Sequence, residues 1–185
     1  METAQLEQIN KPAATERRPF FGGYLSLLFI FGLVFFLDQW TKAWVRNNLA
    51  YGETWVPFDW LPSYVRILHW RNSGAAFGFF QEGGGIFTVL AIVVALFIIY
   101  YFPRIEHGDW SLRLAMGLQL GGALGNLIDR LQHGYVTDFI SIGQFPVFNV
   151  ADSSITLGVI ILLLGIWFGG GQERAPDEVL IEEQA

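Results

Sequence analysis

The hydrophobic residues of this chain fall into four long runs, not into the short alternating or amphipathic segments of a water-soluble fold. Phe20 to Leu37, Ile86 to Phe102, Leu114 to Ile128 and Ser153 to Gly171 are almost free of charge. A membrane-spanning helix needs about 17 to 25 predominantly apolar residues, so four spanning helices are predicted. The third run is the most polar, bounded by Arg113 and Asp129 and containing Gln119 and Asn126. It requires polar neighbours or burial in protein to lie at membrane depth. Within it Gly117, Gly121 and Gly125 recur every fourth residue and share one helical face, which permits close approach of another helix.

Between the first two runs, residues 46–85 are too many for a tight connection and carry Trp55, Phe58, Trp60, Tyr64, Trp70, Phe77, Phe79 and Phe80. Aromatic density of this kind favours the headgroup level of a bilayer. Tyr64 to Arg71 is rich in β-formers and is expected to pair as a strand with its neighbours. Gly74 to Gln81 is expected as a short amphipathic turn on the bilayer surface, and the stretch around Asp138 as a short extended run. Residues 1–19 are polar and aperiodic and are expected to form a disordered cytoplasmic extension. Residues 172–185 are expected to form an acidic cytoplasmic tail, which leaves residues 20–171 as the membrane domain.

Composition strengthens this picture: 52% of the 185 residues are hydrophobic and only 15% are charged, well outside the usual balance of a soluble domain. The first run follows Arg17 and Arg18 in the manner of a signal peptide, but it exceeds the usual h-region of about 7 to 15 residues and is expected to be retained as an anchor. The chain has no cysteine, which excludes disulfides, thiolate nucleophiles and cysteine metal sites. The net charge of −6 owes much to Glu173, Asp177, Glu178, Glu182 and Glu183; no basic patch supports nucleic-acid binding. Lys11, Arg17 and Arg18 precede the first run, and Arg104 and Arg113 lie between the second and third, so the positive-inside rule places the N-terminus in the cytoplasm. Arg46, Arg66 and Arg71 oppose this bias, which therefore leans on the first helix.

Threaded in that orientation, the unusual polar groups gather at the outer face: Asp38 and Lys42, Asn72, Asn126, Asp129 and Arg130, Asp138, and Asn149 with Asp152. Ionisable groups at membrane depth are costly and need a reason. Each has a modest one. Asp38 and Lys42 are spaced to form a helix salt bridge, although the carboxylate would then sit near the negative pole of the first span. Asn126, Asp129 and Arg130 share an inward face, either knitting loops together or offering Arg130 to a carbonyl or carboxylate. Asp152 stands where a helix N-cap is expected.

Taken together they allow chemistry. Two carboxylates about 4 Å apart repel by about 4 kcal/mol at an effective dielectric of 20, equivalent to roughly three pKa units. One of Asp138 and Asp152 would then hold a proton while the other stays ionised, supplying an acid and a base. His69, His107 and His133 form no His-Glu-x-x-His pattern, and threading puts His107 on the other side of the membrane. Ser73 follows His69 by four residues without a nucleophile elbow. No metal and no cofactor are implied. A proton-coupled transporter or channel is an alternative, but its site is expected near the midplane between repeats, and no repeat is found. A non-catalytic scaffold, for which the glycine face would be the whole story, is another.

Four blocks carry a resemblance to a known family. They are Asp38-Gln39-Trp40-Thr41-Lys42; Arg71-Asn72-Ser73-Gly74-Ala75-Ala76-Phe77; Gly121 through Arg130 running on to Gly134-Tyr135-Val136-Thr137-Asp138-Phe139; and Phe148-Asn149-Val150-Ala151-Asp152. In these blocks, and in their order, the chain resembles the lipoprotein signal peptidases, or signal peptidase II, over about residues 24–170. The resemblance implies four transmembrane helices, an extramembrane β-cradle and a short interfacial helix drawn from residues 46–85. It implies an aspartyl endopeptidase with Asp138 and Asp152 catalytic. Asn72, Asn126, Arg130 and Asn149 are implied to position substrate or the dyad, with Asp38, Lys42 and Asp129 in support. The implied substrate is a prolipoprotein whose cysteine bears diacylglycerol, cut on the N-terminal side of that cysteine. Membrane lipid is the expected surrounding and a monomer the expected state. The expected location is the bacterial inner membrane, both termini cytoplasmic and the active site at the periplasmic interface.

Overall fold

The computed structural model describes residues 20–56, 64–74, 84–106 and 108–169. Four long helices dominate these residues: α1 (Phe20–Asn48), α2 (Gly84–Tyr101), α3 (Trp110–His133) and α4 (Val150–Gly169). A single 3-10 turn, Phe102–Arg104, ends α2 at Pro103, because proline cannot continue the helical hydrogen-bond ladder. By length and composition three segments can cross a membrane: Tyr24–Asn48, Gly84–Arg104 and Val150–Phe168. Large apolar residues such as Phe29, Phe36, Leu96, Leu163 and Trp167 point outward and are exposed on the isolated protein. In water they would form an apolar surface far beyond what a soluble monomer tolerates; in lipid they are in their own solvent.

α3 is the central helix. Twelve of its 24 residues are buried, which explains how the most polar of the four runs is accommodated: its neighbours are protein. The glycine face works as expected. A Cβ at Gly121 would lie 2.6 Å from the Val34 side chain of α1, and one at Gly117 would lie 2.7 Å from Ile30. Gly122, on an adjacent face, lets α4 approach in the same way, its missing Cβ falling against the carbonyl of Ala151. α3 is capped at its start by Asp109, which accepts from the Leu112 N–H, and at its end by Gly134 in a left-handed conformation at φ 79°, where glycine carries no Cβ penalty.

The sheet has three antiparallel strands in the order β1 (Thr54–Trp55), β2 (Val65–Asn72), β3 (Val136–Ile142). The expected strand near Tyr64–Arg71 is β2, and the expected run around Asp138 is β3. One element of the expectation is corrected: the cradle is not drawn from residues 46–85 alone, because its third strand lies between α3 and α4 and α1 itself continues to Asn48. Ile67 pairs with Ile140 and Trp70 with Asp138, so Leu68 and His69 oppose Phe139 alone. That bulge sets the register beyond it. The sheet packs on α1 through Val45, Leu49 and Phe139. The N-terminal extension, the acidic tail, His107 and, of the amphipathic turn expected over Gly74 to Gln81, residues 75–81 lie outside the described residues.

Candidate active site

Asp138 and Asp152 reach one place from different elements. Asp138 lies on β3 opposite Trp70 of β2 and diagonal to Asn72, close enough for long side chains on one sheet face to meet. The Asn72 Nδ2 donates to Asp138 Oδ2 at 2.8 Å, and the Asn72 Oδ1 accepts from the Gly74 N–H at 3.0 Å, which orients the amide. Asp152 lies in the first turn of α4. Sequence reasoning placed it as the N-cap; the structure assigns that position to Asn149. The two form a reciprocal box, Asn149 Oδ1 accepting from the Asp152 N–H at 2.9 Å and Asp152 Oδ2 accepting from the Asn149 N–H at 3.2 Å. Such a box satisfies two donors that a helix start otherwise leaves unpaired.

Asn149 joins the two acids. Its Nδ2 donates to Asp138 Oδ1 at 2.7 Å while its own backbone N–H holds Asp152. Asn126 completes the link, donating from Nδ2 to Asp152 Oδ1 at 2.8 Å and accepting at Oδ1 from Asn149 Nδ2 at 3.1 Å. One residue therefore contacts both carboxyls. Burial pushes the Asp138 carboxyl up to about 7, with the neighbouring Asp152 charge adding to the rise; the Asn72 and Asn149 amides and Lys42 pull the other way. Asp152 sits at the positive pole of α4, which complements negative charge.

Beneath the acids lies a network of buried charges. Lys42 Nζ lies 2.8 Å from Asp38 Oδ2, 2.8 Å from Asn126 Oδ1 and 3.6 Å from Asp129 Oδ2. Two close acceptors and a second carboxylate thus surround the ammonium, the pairing that a buried charge requires. The salt bridge expected from the i, i+4 spacing is present. The expected conflict with the helix dipole is not: α1 runs on ten residues past Asp38, and Asp38 Oδ1 accepts the Ala151 N–H of α4 at 2.9 Å. The carboxylate faces the favourable pole of a different helix.

Asp129 pairs with Lys42 and Arg46, not with its neighbour Arg130. Its Oδ2 accepts the Thr137 N–H at 2.8 Å, one residue before Asp138. Arg46 Nη1 donates to Asp129 Oδ1 at 3.3 Å and to Thr137 Oγ1 at 2.9 Å. Arg46, Thr137 and Gln39, which donates to Asp38 and to the Gly125 carbonyl, were not singled out from the sequence. Arg46 was legible there: it continues the Asp38, Lys42 stripe by one more helical turn.

Arg130 faces a cavity of about 370 Å³. Asn72, Asn126, Asp152 and Arg130 line its polar end; Phe87, Leu90, Val94 and Ile155 line the rest. Among the described residues the guanidinium makes one bond, at 3.5 Å to the Asn126 carbonyl, and its buried Nε has no hydrogen-bond partner, which leaves donors for whatever enters. Sites that join apolar walls to a few convergent polar groups are those that bind organic ligands. Every residue put forward from the sequence lies in or against this assembly, with Asp38, Lys42 and Asp129 forming its floor.

Comparison with known proteins gives the chain's relatives. The chain matches the family model for signal peptidase (SPase) II over residues 30–168. The lipoprotein signal peptidase of Acinetobacter baylyi is 43% identical over 147 residues, covering 74% of this chain and 78% of that protein. That of Xanthomonas campestris pv. campestris is 38% identical over 160 residues, covering 82% and 94%. A solved bacterial membrane enzyme superposes with a TM-score of 0.74 at 29% identity, covering 82% of this chain and 93% of that one. With a family model spanning most of its length and relatives well above chance identity, this chain belongs to the signal peptidase II family of peptidases.

Proposed function

We propose that this peptidase cuts diacylglyceryl-modified prolipoproteins on the N-terminal side of the lipidated cysteine, with Asp138 and Asp152 as its catalytic pair. The observation that carries the reading is the single residue, Asn149, hydrogen-bonded to both carboxyls beside a cavity with apolar walls. Asp138, raised to about 7, holds the shared proton; Asp152 is the ionised base. Asp152 takes a proton from water as the oxygen attacks the scissile carbonyl. Asp138 passes its proton to the leaving nitrogen as the carbon–nitrogen bond breaks, and the pair ends with one proton, as it began. Arg130 offers its spare donors to the oxyanion that forms between these steps. Asn72, Asn126 and Asn149 hold the carboxyls in register, and Asp38, Lys42 and Asp129 fix the elements that carry them.

The substrate class fits the setting. Each buried CH₂ of an acyl chain contributes about 0.8 kcal/mol, so a diacylated cysteine stays at the bilayer interface and brings the adjoining peptide bond to that level. In our reading α3 is a fourth span, its 24 residues reaching about 36 Å. The termini are cytoplasmic, the acids face the outer interface of a bacterial inner membrane, and one copy suffices because the dyad comes from one chain. Purified Asp138→Asn and Asp152→Asn proteins are expected to cleave a diacylated prolipoprotein about 10² to 10⁴-fold more slowly while unfolding near the temperature of the unaltered protein. Full activity in either would end the dyad assignment.

A further inference from the structure

Gln119 is a polar residue that the chemistry above does not use. It lines the same cavity as Asn126, Arg130 and Asp152, on a wall otherwise made by apolar side chains of α2 and α4. Its side-chain amide has no hydrogen-bond partner among the described residues. Its depth follows from two helices. On α3 it precedes Asn126 by seven residues, about 10 Å at 1.5 Å per residue. Its Cγ also lies against Gly158, 2.9 Å from where a Cβ would be, and Gly158 follows Asp152 by six residues on α4, about 9 Å. Both measures set Gln119 roughly 9 to 10 Å below the acids, toward the middle of the membrane. Gln119 is half-buried and its amide is open to the cavity; an amide that loses water there without gaining a partner costs about 1 to 3 kcal/mol by mutational scales, so whatever fills the cavity must offer it one.

A bound signal peptide supplies the missing partner. Attack on a scissile carbonyl requires that carbonyl to be free of a helical hydrogen bond, so the signal helix must end before the cut. A helix end leaves up to four carbonyls unpaired, and lipid holds no water to satisfy them. Extended chain covers about 3.3 Å per residue, so three residues bridge the distance from the acids to Gln119. We propose that Gln119 is a substrate-binding residue, donating its side-chain amide to a backbone carbonyl freed in the last helical turn of the signal peptide, about three residues before the cut. This inference rests on the peptidase reading and deepens it.

Gln119→Met keeps length and apolar volume while removing the amide. The Met protein is expected to unfold at a temperature equal to or above that of the unaltered one, since an unpaired polar group is gone. Its KM for a diacylated prolipoprotein is expected to rise about five- to tenfold with kcat within about twofold. The Ki of the released signal peptide, the product that carries no lipid, should rise by the same factor. A lowered unfolding temperature with KM unchanged, or failure to fold, would make Gln119 a packing residue and overturn the inference. A raised KM with an unchanged Ki would move the contact to the acyl ester of the modified cysteine and overturn the peptide assignment. Absence of cleavage by the unaltered protein would instead remove the peptidase reading itself.

Discussion

The two ends of the helical bundle are held by different physics. At the end that carries the connection from α2 to α3, Leu27, Ile98, Phe102 and Leu120 pack as an apolar cluster, and the buried Arg113 is settled over the Phe102 ring with bonds to Ser26 Oγ and the Ile105 carbonyl. At the opposite, polar end Asp38, Lys42, Asn126, Asp129, Asp138 and Asn149 are all buried and share atoms: Asn126 Oδ1 accepts from both Lys42 and Asn149. Packing energy is spread over many weak contacts and degrades in small steps. A network with shared members fails as a unit, because removing one group leaves another buried without its partner. The polar end accepts that fragility because carboxyl groups held at low dielectric by fixed donors are what split their proton affinities.

The largest expected effect is at the centre of that network. Lys42→Met strands Asp38 without its cation and should cost about 3 to 5 kcal/mol, visible in thermal unfolding in detergent, with cleavage lost alongside. Retention of both would show that the network is dispensable and erase the contrast between the ends. Next comes pH. The Asp138 carboxyl, raised to about 7, is protonated below that value and gives up its proton as pH rises through it, so kcat/KM should fall about tenfold for each unit well above pH 7. A rate that kept rising to pH 9 would reverse the roles given to the two acids. At the apolar end Ile98→Val should cost about 1 kcal/mol and leave cleavage unchanged. Smallest is Thr137→Val, which removes the Arg46 contact beside Asp138 and keeps a β-branched side chain; roughly 0.5 to 1 kcal/mol of stability and less than a tenfold change in kcat are expected.

Much of the site is legible in the sequence. The gathering of Asp38, Asn72, Asn126, Asp129, Asp138 and Asp152 at one end follows from threading apolar runs through a bilayer, since each crossing fixes which loop ends share a side. The glycine face of α3 was equally plain, because a four-residue period has one helical meaning. Two local readings went astray for the same reason. Neighbours in sequence set Asp38 against the dipole of its own helix and make Asp152 the cap of its own helix; the partner that matters is α4 for the first and Asn149 for the second. Thr137 carries no signal of its own, because a strand threonine is unremarkable until Arg46 and Asp129 are seen beside it.

What the sequence determined by itself was the set of helices, their apolar outward surface, the presence of strands and the common end of the bundle at which the polar groups meet. These follow from periodicity and hydropathy, which are local. Only the tertiary structure decided which donor meets which acceptor. The bonds that build the site join residues 66 apart, as in Asn72 with Asp138, or 113 apart, as in Ala151 with Asp38. Their lengths depend on how closely glycine-faced helices approach and on one bulge that sets strand register, and both arise from packing between elements.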